Sequence, residues 1–151
     1  MPDLGSVLDD GIRYLRLGSL ERAWSCFEAA AHATRDPAIR SEARRRQADV
    51  LRRRGQWDDA LRLADDAVQI ARAHALREQE AAARNIEGTI HLQRGEFEDA
   101  VAIFSETLEI EPSARQRGLI CQNLGTAHAQ QGLYDAAVEW YARSSEAFAA
   151  G

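Results

Sequence analysis

Arginine side chains cluster on one face of a predicted helix between residues 45 and 53. At about 100° per residue, Arg45, Arg46, Asp49, Arg52 and Arg53 fall within an arc of about 120°, and apolar residues occupy the opposite side. A guanidinium group binds a carboxylate through two parallel hydrogen bonds, so this face suits an acidic peptide or the carboxyl terminus of a chain. The alternative is a solvated face without a ligand, because Asp49 stands four residues after Arg45 and offsets part of its charge.

Catalytic and metal-binding patterns are missing from the sequence. It contains no glycine-rich phosphate loop, no Gly-x-Ser-x-Gly elbow and no His-Glu-x-x-His motif, and Cys26 and Cys121 have no metal-ligand spacing. Paired carboxylates such as Asp58-Asp59 are typical of solvation and of charge at a helix N-terminus. We therefore predict two reduced cysteines, no catalytic residue, no metal, no cofactor and no enzymatic activity.

The composition is that of a globular protein. Of 151 residues, 45% are hydrophobic and 28% are charged, and the formal net charge is −5. An acidic balance argues against binding nucleic acid or an anionic membrane through bulk charge. The apolar runs are far shorter than the roughly 20 residues that span a bilayer, and no secretory signal begins the chain. We expect a cytoplasmic protein.

A phrase recurs four times along the chain. Gly18, Gly55, Gly95 and Gly132 are each followed by a large apolar residue two positions on and by alanine five positions on. The intervals between successive glycines are 37, 40 and 37 residues. A small residue stands seven positions before each glycine. Because glycine reaches a positive φ without strain, each of these glycines is expected to end one helix and to open a turn into the next. The neighbouring small residue and alanine would let the two helices approach closely.

The repeats predict an all-α fold without strands. We predict helices at 4–17, 20–34, 37–54, 57–74, 77–94, 97–110, 113–131 and 134–149. They form a single domain over 1–151, with repeats at about 4–35, 36–74, 75–111 and 112–149. Asp36-Pro37 and Glu111-Pro112 mark two boundaries, whereas the stretch around Leu76 carries no strong breaker. Residues at helical spacing, among them Ile90, Val50 and Val138, are predicted to form the core.

The chain resembles a tetratricopeptide repeat protein. The third repeat carries Gly88, Gly95, Phe97, Ala100 and Phe104 at the family's mutual spacings, and the fourth repeat matches in the same way. The resemblance implies an α-solenoid of about four helix–turn–helix repeats wound into a right-handed superhelix. The intervals exceed the family's period of about 34 residues and are similar to longer-repeat bacterial variants. It also implies that the histidines at the position of a usual aromatic residue, His91 and His128, are packing residues.

The same resemblance implies a protein-binding function. First helices of such repeats line a concave groove that holds a peptide or a partner segment, so we predict an adaptor or scaffold. Asn85 and Asn123 would pair with the main chain of an extended peptide, or else would hydrogen-bond one helix to another. The predicted groove residues are Arg45, Asp49, Arg52, Arg53, Asn85, Thr89, Gln122, Asn123 and Thr126.

Apolar residues at the two ends of the repeat array support an alternative function. In this alternative, the chain is a self-associating structural module that forms a homodimer, or it is a regulatory fragment of a larger signalling or transcription-regulator protein. At the first repeat an apolar strip stands where solvent is expected, and at the last helix aromatic residues are expected to be partly exposed. The predicted self-association residues are Leu8, Ile12, Leu15, Trp140, Tyr141 and Phe148.

Overall fold

The computed structural model describes residues 3–151 and is helical throughout. Within that range eight helices are joined by short turns and no strand occurs, which confirms the predicted all-α class. The helices form consecutive helix–turn–helix pairs, as the glycine phrases predict. Their bounds are α1 Leu4–Arg16, α2 Leu20–Ala33, α3 Pro37–Arg53, α4 Trp57–Ala73, α5 Arg77–Gln93, α6 Phe97–Glu109, α7 Ala114–Gln130 and α8 Tyr134–Ala150.

The turn inside each repeat is built on its glycine. Gly18, Gly55, Gly95 and Gly132 all have φ between +75° and +78°. The N–H of the residue after the glycine donates to a carbonyl one turn back, as Gln56 does to Leu51 at 2.9 Å. This pairing satisfies carbonyl groups that a helix end leaves without partners.

The turns between repeats use different residues. Asp36 caps α3 by accepting a hydrogen bond from the N–H of Ala38, and Pro37 occupies the first turn, as predicted. At the boundary without a sequence signal, Ala75 adopts the left-handed conformation with φ 54°, and Glu111 does so before α7 with φ 53°. A non-glycine residue gives no composition signal for such a turn, which is why the sequence does not mark this boundary.

In the first, third and fourth repeats the two helices approach each other through glycines. A Cβ placed on Gly11 would meet the ring of Phe27 at 2.5 Å, and one on Gly125 would meet the ring of Tyr141 at 2.6 Å. Gly118 faces Phe148 in the same manner, at 2.6 Å. The small residues therefore admit aromatic rings from the second helix, as the repeat pattern predicts.

The chain divides into two compact units, Met1–Ala83 and Arg84–Gly151, and the division falls within α5. In the first unit Phe27 is fully buried, with Leu8, Leu15 and Val50 in the same cluster. In the second unit Phe104 is fully buried, in a cluster with Ile120 and Leu124. The organisation as one domain stays a prediction.

One predicted core residue is not in the core. Val138 is 66% exposed, because α7 is the one described helix that packs on α8 and it leaves Val138 uncovered, whereas Ile90 and Val50 are buried as predicted. No helix between residues 3 and 151 is both long and apolar enough to cross a bilayer.

Candidate functional site

The arginine cluster of α3 is organised around Asp49. Arg52 donates from Nε at 2.8 Å and from Nη2 at 2.6 Å to Asp49 Oδ1, and Arg53 Nη2 lies 3.2 Å from Asp49 Oδ2. A second Arg53 nitrogen, Nη1, donates to the carbonyl of Leu15 at 3.2 Å and so caps the end of α1. These contacts hold the guanidinium groups in place, and one carboxylate neutralises part of their charge.

The rest of the cluster also keeps an excess of positive charge. Arg45 and Arg46 lie 4.0 and 3.5 Å from the carboxylate of Glu42. Along this part of α3, the two acidic residues Glu42 and Asp49 stand beside four arginines. In a protein with a formal net charge of −5, this local excess favours a ligand that brings carboxylates.

A polar network that sequence reasoning missed joins α2 to α3. The fully buried amide of Gln47 donates to Glu28 Oε2 at 2.5 Å and accepts a hydrogen bond from Arg44 Nη1 at 2.8 Å. His32 Nε2 lies 2.5 Å from the other Glu28 oxygen. The Gln47 hydrogen bond lowers the pKa of Glu28. The position of Gln47 is also polar in α1 (Asp10) and in α5 (Glu87), and it is leucine in α7 (Leu124), so the repeat pattern gives no signal for this network.

The predicted amide pair of the second unit is linked directly. Asn123 Nδ2 donates to Asn85 Oδ1 at 2.8 Å, so the helix-to-helix hydrogen bond expected as the alternative is present. Each amide retains a further group, the Asn85 NH₂ and the Asn123 carbonyl oxygen. Both side chains are half-buried.

The two threonines of the predicted groove, Thr89 and Thr126, hydrogen-bond to carbonyl groups of their own helices. The hydroxyl of Thr89 donates to the carbonyl of Asn85 at 2.7 Å, and that of Thr126 to the carbonyl of Gln122 at 3.1 Å. Thr126 Oγ1 also lies 3.2 Å from the Tyr141 hydroxyl, and the side chain of Gln122 is exposed. The structure therefore places Asn85 and Asn123 together, and Thr126 beside Tyr141.

The apolar strip of the first repeat is not an open surface. Leu8 is 5% and Leu15 is 3% exposed, and Ile12 packs against the same core cluster. The expectation that Leu8 and Leu15 could face a partner is wrong, because Phe27 of α2 and Val50 of α3 cover them. At the last repeat, Trp140 packs against the core of the second unit.

On one side of α8, by contrast, apolar side chains are exposed. Tyr141 and Phe148 are partly exposed, as expected, and Tyr134 and Val138 are more open, at 69% and 66%. The spacing of these four residues, i, i+4, i+7 and i+14, places them on one helical stripe. The corresponding stripes of α2 and α6 contain the fully buried rings of Phe27 and Phe104.

One group of side chains has the geometry to admit a metal ion. Ligand atoms of His91, Glu96 and Asp99 lie within 4.8 Å of one another. Glu96 Oε1 is already 3.0 Å from His91 Nδ1 and 3.1 Å from Arg94 Nε, and Asp99 is exposed. The close approach of these side chains is explained by their contacts with Glu96, which link the end of α5 to the turn before α6. His128 in the next repeat donates instead to the carbonyl of Leu124 at 2.7 Å.

Solved structures share this fold. BtubC from P. vanneervenii is 23% identical with a TM-score of 0.71, over 89% of this chain and 57% of that one. A Rap protein complexed with competence and sporulation factor is 17% identical with a TM-score of 0.79, over 94% of this chain and 42% of that one. MamA from Desulfovibrio magneticus RS-1 is 18% identical with a TM-score of 0.62, over 98% of this chain and 77% of that one. The chain thus spans about half the length of the first two proteins.

Sequence models of protein families give a result that agrees with this structural similarity. No curated protein sequence matches the chain. Two models, each described as tetratricopeptide repeat, match residues 40–113 and 119–146. With eight helices paired around glycine turns, the chain belongs to the tetratricopeptide repeat family.

Proposed function

We propose that the protein is a non-enzymatic interaction module that binds an acidic peptide or partner segment on the first helices of its repeats. The observation that carries this proposal is the excess of arginine over acidic residues on α3, where Arg52 and Arg53 share the carboxylate of Asp49 and Arg45 lies beside Glu42. Fixed guanidinium groups lose little conformational entropy when they bind, and they bind carboxylates in a defined geometry. The Rap protein was solved with competence and sporulation factor bound, which supports a ligand-binding use of this fold.

The second unit carries a surface of its own that suits main-chain recognition. The free NH₂ of Asn85 and the carbonyl oxygen of Asn123 offer one donor and one acceptor side by side. Such a pair can bond to a peptide group whatever the side chain of the ligand. Exposed Gln122 would extend this polar strip.

Fluorescence anisotropy with a labelled acidic peptide tests the proposal. Arg45→Gln with Arg53→Gln should weaken binding by about tenfold or more, because two charge-assisted hydrogen bonds are lost. Arg62→Gln removes an exposed second-helix arginine and serves as the matched control, with affinity unchanged. Unchanged affinity in the double variant, with circular dichroism showing an intact fold, would refute the α3 assignment.

A second candidate function is self-association through the open stripe of α8. At positions where α7 packs Ile120, Leu124 and Ala127 into the apolar core, α1 has Ser6, Asp10 and Arg13, and Asp10 lies 2.5 Å from Arg13. A polar α1 disfavours head-to-tail stacking of copies, whereas two α8 stripes could meet each other. The self-associated form would then be a closed homodimer.

Sedimentation velocity tests this second candidate. A dimer is expected at high protein concentration, and Val138→Glu should convert it to monomer, because a charge would be buried in the apolar contact. Glu146→Gln, on another side of α8, is the control and should leave the dimer intact. A wild-type monomer at all concentrations, or a dimer that survives Val138→Glu, would exclude it.

A further inference from the structure

A groove on the second unit lies between α6, α7 and α8, apart from the proposed peptide surface. It has a volume of about 400 Å³, and its lining includes Leu108, Arg117, Cys121, Trp140, Arg143 and Glu146. We propose that this groove is a second binding site, for a peptide segment that places an apolar side chain next to a carboxylate.

The floor of the groove is apolar. Cys121 is buried, and Leu108 and Trp140 pack on the core of the second unit while still facing the groove. The volume lies at the small end of the range that ligand pockets occupy, so it suits one or two side chains of a peptide. An aliphatic or aromatic side chain would cover the indole ring and the thiol.

The rim of the groove is positively charged. The guanidinium carbon of Arg143 lies 4.6 Å from the centre of the Trp140 ring, which holds its charge against the apolar floor. Among residues 3–151, no carboxylate lies within ion-pair distance of Arg143 or Arg117. Both arginines act to lower the pKa of the Cys121 thiol, although burial has the larger effect and raises it. Two arginines without an acidic partner, in an acidic protein, are complementary to a carboxylate.

Glu146 narrows the class of ligand. A carboxylate on the same rim repels a densely charged polyanion, but it can accept a hydrogen bond from a peptide N–H. An acidic peptide with one apolar residue satisfies the arginines, the floor and Glu146 together.

The groove is separate from the surfaces already described. A helix turns by about 100° per residue. On α8, this rotation places Trp140 and Arg143 on the side opposite Tyr134 and Val138. On α7, Arg117 is on a different side from Gln122, one of the predicted peptide-binding residues. Changes in the groove can therefore be made without touching the other surfaces.

Trp140 provides a reporter inside the proposed site. In a Trp24→Phe and Trp57→Phe background, an unlabelled octapeptide of leucine and aspartate should change the Trp140 emission in a saturable manner. Arg117→Gln with Arg143→Gln should weaken this titration by about tenfold or more. Arg115→Gln, an exposed arginine on the same helix, is the control and should leave it unchanged.

Two further titrations test the need for an apolar side chain in the ligand and the independence of the groove from the α3 surface. A peptide of serine and aspartate lacks the apolar group and should bind at least about tenfold more weakly. Arg45→Gln with Arg53→Gln should leave the Trp140 signal intact, so that this site is distinguished from the α3 surface. No change in Trp140 emission, or a change that survives loss of both groove arginines in a folded variant, would overturn the proposal. Equal binding of the serine peptide would overturn it as well.

Discussion

The ring of Phe104 on α6 lies against Gly88 on α5, where a Cβ on the glycine would meet Phe104 Cδ1 at 2.8 Å. Phe104 is fully buried, so its ring has no space into which it could retreat. The same relationship joins Gly11 to Phe27. The sequence signal of this contact is a glycine seven residues before the turn and an aromatic residue nine residues after it.

Gly88→Ala is expected to destabilise the protein by about 1–3 kcal/mol, because an added methyl group overpacks a closed core. Urea denaturation measures the change. Gly125→Ala should cost less, since Tyr141 is partly exposed and its ring can move outward. Gly5→Ala is the control: its Cβ would make only an ordinary contact at 3.5 Å, so a neutral or slightly stabilising effect is expected. A neutral Gly88→Ala would show that the packing is looser than described.

Ala75→Gly is expected to stabilise the protein by about 1 kcal/mol, because Ala75 has φ 54° and a side chain is unfavourable in that conformation. Thermal and urea unfolding should both register the gain. The reverse change at a turn inside a repeat, Gly55→Ala, should lose a similar amount, since Gly55 also has a positive φ, 75°, and nothing lies near its Cβ position. A loss of stability in Ala75→Gly would contradict this interpretation.

Gln47→Leu is expected to lower the unfolding free energy at pH 7 by about 1–3 kcal/mol, because the hydrogen bonds to Glu28 and Arg44 disappear. The pKa of Glu28 is lowered in the folded protein, chiefly by Gln47. Its contribution to stability is therefore present above the unfolded pKa of about 4.3 and is lost as pH falls through the folded value.

The difference between wild type and Gln47→Leu should accordingly shrink below about pH 4. Urea denaturation across this pH range measures it. Gln69→Leu, an exposed glutamine on α4, should change little at any pH. A stability difference that does not depend on pH would show that the ionised Glu28 does not contribute to it.

Asp49→Asn should strengthen binding of an acidic peptide by several-fold, because it removes the carboxylate that Arg52 and Arg53 now share. The same change should lower stability, since charge-assisted hydrogen bonds become neutral ones. Anisotropy titrations at two salt concentrations measure the affinity, and the gain should diminish at high salt. Weaker binding would indicate that Asp49 positions the arginines for the ligand.

Most of the fold could be predicted from the sequence because its signals are local. Gly18, Gly55, Gly95 and Gly132 mark turns that need a positive φ, and the predicted helices end within one or two residues of the observed ends. The boundary near Ala75 carried no signal, because alanine is found there in a conformation that composition does not indicate.

The surface was harder to predict, because it depends on which neighbour covers each helix. The sequence of α1 alone predicts an open strip with Leu8 and Leu15, yet α2 and α3 bury them, while Val138 fits the core pattern and is exposed. The pairing of Arg52 and Arg53 with Asp49 also depends on rotamers that spacing alone does not determine. Asn85 and Asn123 could be anticipated as a pair only because their helices correspond.

The left-handed residues between repeats have a consequence for local unfolding. Ala75 and Glu111 each hold about 1–2 kcal/mol of backbone strain, whereas the glycine turns inside the repeats hold none. Amide hydrogens next to Ala75 and Glu111 should thus exchange with solvent sooner than those beside Gly55 or Gly95. The helical hairpin, rather than the single helix, becomes the smallest segment that opens and closes as a whole.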